Sequence, residues 1–193
     1  MREDDQDAAD VARVIAGDLN AFEGIVLRWQ CRLVTMAWRF CRDRAAAEDM
    51  AQEVLLKTFR SLATFRGESA FSTWITAIAL NTCRSRLRAE GQPLLSLDPA
   101  RVFRNESSSF REIDERERAE AVRRAVLTLP ERYREAILLY YFEEKDLAES
   151  ARVLGVPEGT LKARLHRGRE LLRARCANLD PLAPDVVAVT EER

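Results

Sequence analysis

The stretch "DLAESARVLGVPEGTLKARLHRGRELLRARC", residues 146–176, decides how this chain is read. Its first nine residues form a short amphipathic segment, and Gly155 then supplies the residue type that takes a positive φ in a tight turn. Pro157 suits the first turn of a following helix, where a missing N–H is harmless. A helix, a turn of three or four residues containing glycine, and a second helix make the helix-turn-helix pattern. From Lys162 to Arg175 the second helix carries Lys162, Arg164, Arg167, Arg169, Arg173 and Arg175 against Glu170 alone, a net of +5 in a chain of formal net charge −1.

At 100° per residue, Leu165, Gly168 and Leu172 return to within about 40° of Leu161, so these four form the packing stripe. Lys162, Ala163, His166, Arg169 and Arg173 point the other way, and Arg164 lies to one side. A basic face of this kind is usually just solvated. Here the Gly-Pro turn and the preceding short helix favour nucleic acid, because the N-terminal residues of a second helix reach base edges in the major groove. Neighbouring Lys and Arg neutralise phosphates and release counterions. The near-neutral total does not oppose this, since an acidic N-terminus and middle segment offset basic faces elsewhere.

The rest of the chain is rich in Ala, Leu, Arg and Glu and poor in Gly (7) and Pro (6), with no alternating Val/Ile/Thr run, so the expected class is all-α. Two helical blocks flank "GQPLLSLDPARVFRNESSSF", which reads as a linker. The expected division is an acidic extension at 1–9, a first domain at 10–90, a linker at 91–110, a second domain at 111–176 and a loosely held tail at 177–193. In "RAAAEDMAQEVLLKTFRSL", Met50, Val54, Leu55, Thr58 and Leu62 share one helical face and Asp49, Gln52, Glu53 and Leu56 another. In "AFSTWITAIALNTCRSRLRAE" the apolar arc holds Phe71, Trp74, Ile75, Ile78, Ala79, Cys83 and Leu87. The remaining strip holds Thr73, Ala77, Asn81, Arg84 and Arg88. "PERYREAILLYYF" is expected to bury Tyr133, Ala136, Ile137 and Tyr140.

Enzymatic function finds almost no support. His166 is the only histidine, which removes most metal sites and every triad that uses histidine. The four cysteines are scattered and read as small buried apolar residues. No phosphate-binding glycine motif occurs, no cofactor is implied, and no apolar run has the length of a membrane span. With an N-terminus unlike a signal peptide, the expected location is the cytoplasm, without membrane insertion.

"AEDMAQEVLLKTFRSLATFRGESAFSTWITAIALNTCRSRLR" resembles region 2 of bacterial extracytoplasmic-function (ECF) sigma factors of the sigma-70 family, and "LPERYREAILLYYFEEKDLAESARVLGVPEGTLKARLHRGRELLR" resembles their region 4. The resemblance implies an alternative sigma factor built from two helical domains on a flexible linker. It implies docking of region 2 on the clamp helices of the largest catalytic subunit of core RNA polymerase, through Asp49, Gln52, Glu53 and Leu56. It implies opening of the −10 promoter element by the loop "FRGESAF" and the helix after it, with Phe65, Arg66, Ser69, Thr73, Asn81, Arg84 and Arg88 as the contacting set. Phe65 supplies an apolar wall or simply core packing; Asn81 can read a base edge as donor and acceptor. Region 4 reads the −35 element through Thr160, Lys162, Ala163, Arg164, His166 and Arg167. An anti-sigma factor is the further partner implied. Ser150 stands where the family usually has a large aliphatic residue, and Ala163 where a hydroxyl is common. The competing readings are a helix-turn-helix regulator of duplex DNA that is no polymerase subunit, and a protein-only adaptor. A repressor needs neither the Asp49–Leu56 stripe nor "FRGESAF", and an adaptor does not need the cationic last helix.

Overall fold

The computed structural model describes residues 3–89, 115–143 and 145–176. The expected linker at 91–110 and tail at 177–193 lie outside the described residues. Every regular element described is helical: α1 (Glu3–Ile15), α2 (Phe22–Cys41), α3 (Arg44–Ser61) and α4 (Phe71–Ala89) in the first half, then α5 (Glu115–Leu127), α6 (Glu131–Ile137), α7 (Leu147–Leu154) and α8 (Glu158–Cys176). The acidic stretch read as an extension ending at residue 9 is thus continuous with α1.

Helix α1 is fastened by buried charge. The Arg28 guanidinium donates to Asp7 Oδ1 (2.8 Å) and Asp10 Oδ2 (2.7 Å), and Trp29 Nε1 donates to Asp7 Oδ2 (2.9 Å). Asp7 is 1% exposed. Gly24 makes room for this contact, since a Cβ there would lie 2.5 Å from Asp10 Oδ2. Helices α2 and α3 form a tight antiparallel hairpin. Arg42 takes a left-handed φ of 57°, its N–H bonds to Trp38 O (2.9 Å), and its guanidinium lies 4.1 Å from the Trp38 ring centroid. Asp43 then caps α3 by accepting from Ala46 N (2.7 Å). The core of this half joins Ile25, Trp29, Leu33 and Met36 on α2 to Met50 and Val54 on α3 and to Phe71, Ile75, Leu80 and Cys83 on α4. Burial pushes the Cys83 thiol up to about 12, so it behaves as a small apolar residue.

The second half follows the expected helix-turn-helix closely. Asp146 and Glu149 close a capping box on α7, and Gly155 ends it at φ 66° with Val156 N bonded to Ala151 O (3.0 Å). Leu161 and Leu165 on α8 are buried against α6, and a Cβ on Gly168 would meet Ile137 Cγ1 at 3.1 Å. Helix α6 departs from expectation. It buries Arg134, Glu135, Ala136 and Ile137, continues as a wider π turn over Leu138–Phe142, and leaves Tyr133 and Tyr140 only half-buried. The reason is that its polar side faces the first domain. Arg134 lies over the Phe40 ring, and Glu135 meets Arg84. Ser150 is fully buried and its hydroxyl donates to Lys145 O (3.3 Å).

Replacing Asp7 by Ala removes the acceptor of Trp29 and one partner of Arg28 while Asp10 keeps the other. The expected loss is about 2 kcal/mol, read as a lower midpoint of urea unfolding at unchanged slope. An unmoved midpoint would mean that α1 is not fastened through this residue.

Candidate functional site

Helix α8 turns Lys162, Arg167 and Arg173 outward, while Arg164, Arg169 and Arg175 are half-buried. Thr160, Lys162, Ala163, His166 and Arg167 are exposed, and Arg164 is half-buried on the flank where the helical wheel puts it. The capping geometry of α7 and the Leu161–Leu165–Gly168 stripe fix this orientation from below. Arg167 Nη1 reaches Glu170 Oε2 at 2.7 Å, which holds the Glu170 carboxyl below its ordinary value. His166 Nδ1 sits 3.9 Å from the same carboxylate, a contact that attracts only when the imidazole is protonated.

The first domain presents a second set. Phe65 belongs to an aromatic cluster, its ring centroid 5.8 Å from Phe71 and 5.2 Å from Trp74, and it remains half-buried. Arg66 is exposed beside Gly67, whose φ of 69° turns the loop, and Ser69 is half-buried. Asn81 is exposed and accepts from Arg84 Nη1 (3.2 Å). From Thr73 to Arg88 the candidate residues span about 22 Å of α4 at 1.5 Å per residue, a track rather than a pocket. Beside it a groove of about 390 Å³ runs between α3 and α4, lined by Lys57, Arg60, Ser61, Asn81, Thr82 and Ser85. Lys57, Arg60 and Ser85 were not singled out in the sequence. The signal was there, since Ser85 follows Asn81 by one helical turn and Lys57 and Arg60 lie one turn apart on α3.

On α3 the acidic stripe divides. Asp49, Gln52 and Leu56 are exposed, Leu56 at 55%. Glu53 is drawn inward, paired with Lys57 (2.7 Å) and Arg86 (3.2 Å).

The α4 strip is not open along its whole length, because the second domain covers part of it. Thr73, expected outside the apolar arc and among the −10 contacts, is 2% exposed and its hydroxyl donates to Glu149 Oε1 (3.1 Å). Arg84 Nε and Nη2 donate to Glu135 Oε1 (2.5 Å) and Oε2 (2.6 Å). Arg88 lies 3.5 Å from Glu131 Oε1 and stays exposed. Among the described residues no group of three or more His, Cys, Asp or Glu side chains converges, and no helix is long and apolar enough to cross a membrane.

Comparison with known proteins matches residues 25–92 to the family described as Sigma-70 region 2 and residues 119–172 to Sigma-70, region 4. The chain is 34% identical to the RNA polymerase sigma-H factor of Pseudomonas aeruginosa over 183 residues, covering 89% of this chain and 94% of that protein. It is 31% identical to the ECF RNA polymerase sigma factor SigW of Bacillus subtilis over 181 residues, covering 88% and 96%. It is 33% identical to the ECF RNA polymerase sigma-E factor of Escherichia coli K12 over 182 residues, covering 89% and 95%. Among solved structures, CnrH in complex with the cytosolic domain of CnrY superposes with a TM-score of 0.68 at 23% identity, covering 91% of this chain and 99% of that one. RpoE of Bartonella quintana, in complex with the anti-sigma factor NepR, gives 0.60 at 23%, covering 80% and 95%. At that identity the two structures bear on the fold.

Lys162→Glu and Arg167→Glu alter exposed side chains, so each should change unfolding stability by no more than about 0.5 kcal/mol. Together they should weaken duplex DNA binding and lower the slope of log K against log salt by about 2. Anisotropy titrations over a salt series read both; an unchanged slope would remove α8 from the DNA interface.

Proposed function

The chain belongs to the extracytoplasmic-function group of the sigma-70 family, and from that membership we propose which of its surfaces do the work of a sigma factor. As an alternative sigma factor it is a transcription initiation factor rather than an enzyme. It binds core RNA polymerase and brings it to promoter DNA, so the reading as a duplex-only regulator is set aside. Residues 10–90 act as region 2 and 111–176 as region 4, in the cytoplasm.

Polymerase docks on α3 through Asp49, Gln52 and Leu56, with Glu53 contributing once Lys57 and Arg86 are engaged elsewhere. Exposed carboxylates beside one exposed leucine suit a basic partner helix that buries the leucine as an anchor. The −10 strand follows the α4 track, with Phe65, Arg66 and Ser69 at its loop end and Asn81, Arg84 and Arg88 along the helix. Lys57 and Arg60 give that strand a cationic far wall, as a single strand needs both backbone charge and a stacking or edge contact. The −35 duplex takes α8, with Lys162, Ala163 and His166 toward base edges and Thr160, Arg164 and Arg167 toward phosphates. Ala163 offers the thymine methyl an apolar contact in place of a hydroxyl's hydrogen bond. An anti-sigma protein is the expected inhibitory partner, of the kind seen with the Bartonella factor. The observation that carries the reading is the coexistence of the exposed α3 stripe and the exposed α8 cationic face on separate domains of one chain.

Purified protein added to core polymerase should direct specific starts, and mapping those starts after overexpression should return both promoter elements together. Asp49→Lys combined with Leu56→Ala should cut polymerase capture by about tenfold or more, while Lys162→Glu leaves capture intact. Unchanged capture by the first variant would remove the docking assignment.

A further inference from the structure

We propose that the groove where the end of α2 meets α5 and α6 binds a small amphipathic anion, a carboxylate carried on a flat apolar body. None of the residues assigned above to polymerase, to the −10 strand or to the −35 duplex lines it, so the inference does not rest on those assignments. The groove has a volume of about 300 Å³, at the small end of ligand pockets, and it lies between two domains, where such pockets gather. Val126 and Leu127 of α5 and Leu138 of the π turn give it an apolar lining. Trp38, which is 36% exposed, and Phe142 add two aromatic rings.

Three guanidiniums join that lining, those of Arg39, Arg42 and Arg123, and no carboxylate does. Arg39 pairs with Glu143 beside the groove and lies 5.2 Å from the Phe142 ring centroid, and Arg42 lies 4.1 Å from the Trp38 ring centroid. A guanidinium laid on a ring keeps its N–H groups in its own plane, where they can turn a fork toward a carboxylate. Arg42 is also the one non-glycine residue at positive φ among the described residues, at a helix end where glycine is the ordinary choice. A side chain kept there against backbone strain points to a role for the side chain itself. The chemistry selected by this lining is mixed. A bare inorganic anion would leave the apolar side chains unused, and a neutral hydrocarbon would gain nothing from the guanidiniums. A carboxylate on a ring system uses both. Because the lining comes from both domains, such a ligand binds this arrangement of them and adds to its stability by mass action.

The test uses the full chain and naphthalene-2-carboxylate, with naphthalene-2-methanol as its neutral counterpart, in calorimetric titrations. The carboxylate should fill one site with a dissociation constant on the order of 0.1 mM, and the alcohol should bind about tenfold more weakly. A saturating dose of the carboxylate should raise the melting midpoint by about 3 °C. Arg42→Gly removes a guanidinium while suiting the left-handed backbone, so its fold is secure. Leu127→Trp fills the groove. Each should weaken binding of the carboxylate about tenfold. Arg173→Gln removes an exposed cation on α8 and should keep the parent affinity. No saturable binding to the parent chain would overturn the site. So would binding that survives Arg42→Gly, or that falls as far with Arg173→Gln. Equal affinity for the alcohol would overturn an anion as its ligand.

Discussion

A buried carboxylate needs its counter-charge, and Glu135 is the carboxylate on which the placement of the two domains turns. It sits on the inner side of α6 beside Arg134, whose guanidinium is pulled below its ordinary value by burial and donates to Leu127 O (3.2 Å). Glu135 finds its charge on another domain, in the fork of Arg84. That fixes the rotation of α6. The opposite side of α6 then offers Ile137 to the gap left by Gly168, which brings α8 into close contact. With Leu161, Leu165 and Gly168 turned inward, Lys162, His166 and Arg167 lie on the exposed side of α8. One ion pair at the seam is thus linked, through one close helix contact, to the direction of the cationic face.

The same arrangement accounts for a chain of net charge −1 with a strongly basic helix. The second domain is polarised. Its densest run of cations lies on α8, while Glu131, Glu135, Glu143 and Glu149 point toward the first domain, with Arg134 and Lys145 beside them. The first domain answers with Arg39, Arg84 and Arg88 at the seam and keeps Asp49 on its outer side. Opposite charges are spent across the seam and like charges accumulate on the outer faces, where a polyanion or a basic protein can use them.

Much of this was legible in residue order. The α8 stripe, the Gly155 turn, the α7 boundaries and the inward face of α3 follow from helical period and turn chemistry, which act within a few residues. What was hidden depends on a second element. A wheel drawn on α6 alone ranks Tyr133 and Tyr140 inward and Arg134 and Glu135 outward, because it cannot know that Arg84 and Phe40 stand opposite. The strip of α4 opposite its apolar arc shows nothing of its partners for the same reason, so the burial of Thr73 against Glu149 is not legible in it. The acidic run before residue 10 looks like a solvated extension until Arg28 and Trp29 supply partners for Asp7. Ser150 looks like lost burial until the hydroxyl finds Lys145 O. Glu53 was grouped with an outward stripe, and only the neighbouring helix shows that Arg86 draws it away. In each case the missing information was the identity of a partner remote in sequence.

The energetic contrast between cores and seam bears on how such a chain works. Inside each domain the contacts are dominated by full burial of side chains such as Ile25, Leu80, Leu129 and Leu161, each worth roughly 1.5–3 kcal/mol. Across the seam the named contacts are polar or charged at one end at least. Partly exposed ion pairs of this kind contribute about 0–1 kcal/mol each, and cation–aromatic contacts such as Arg39 on Phe142 a similar amount of roughly 0.5–1 kcal/mol. Arg84–Glu135 is the strongest, yet its net worth is reduced by the desolvation of both charges. Charge is not all that holds the seam, because the buried apolar side chains of both halves belong to one continuous cluster, and Trp38 of the first half lines a groove together with Val126, Leu127 and Leu138 of the second.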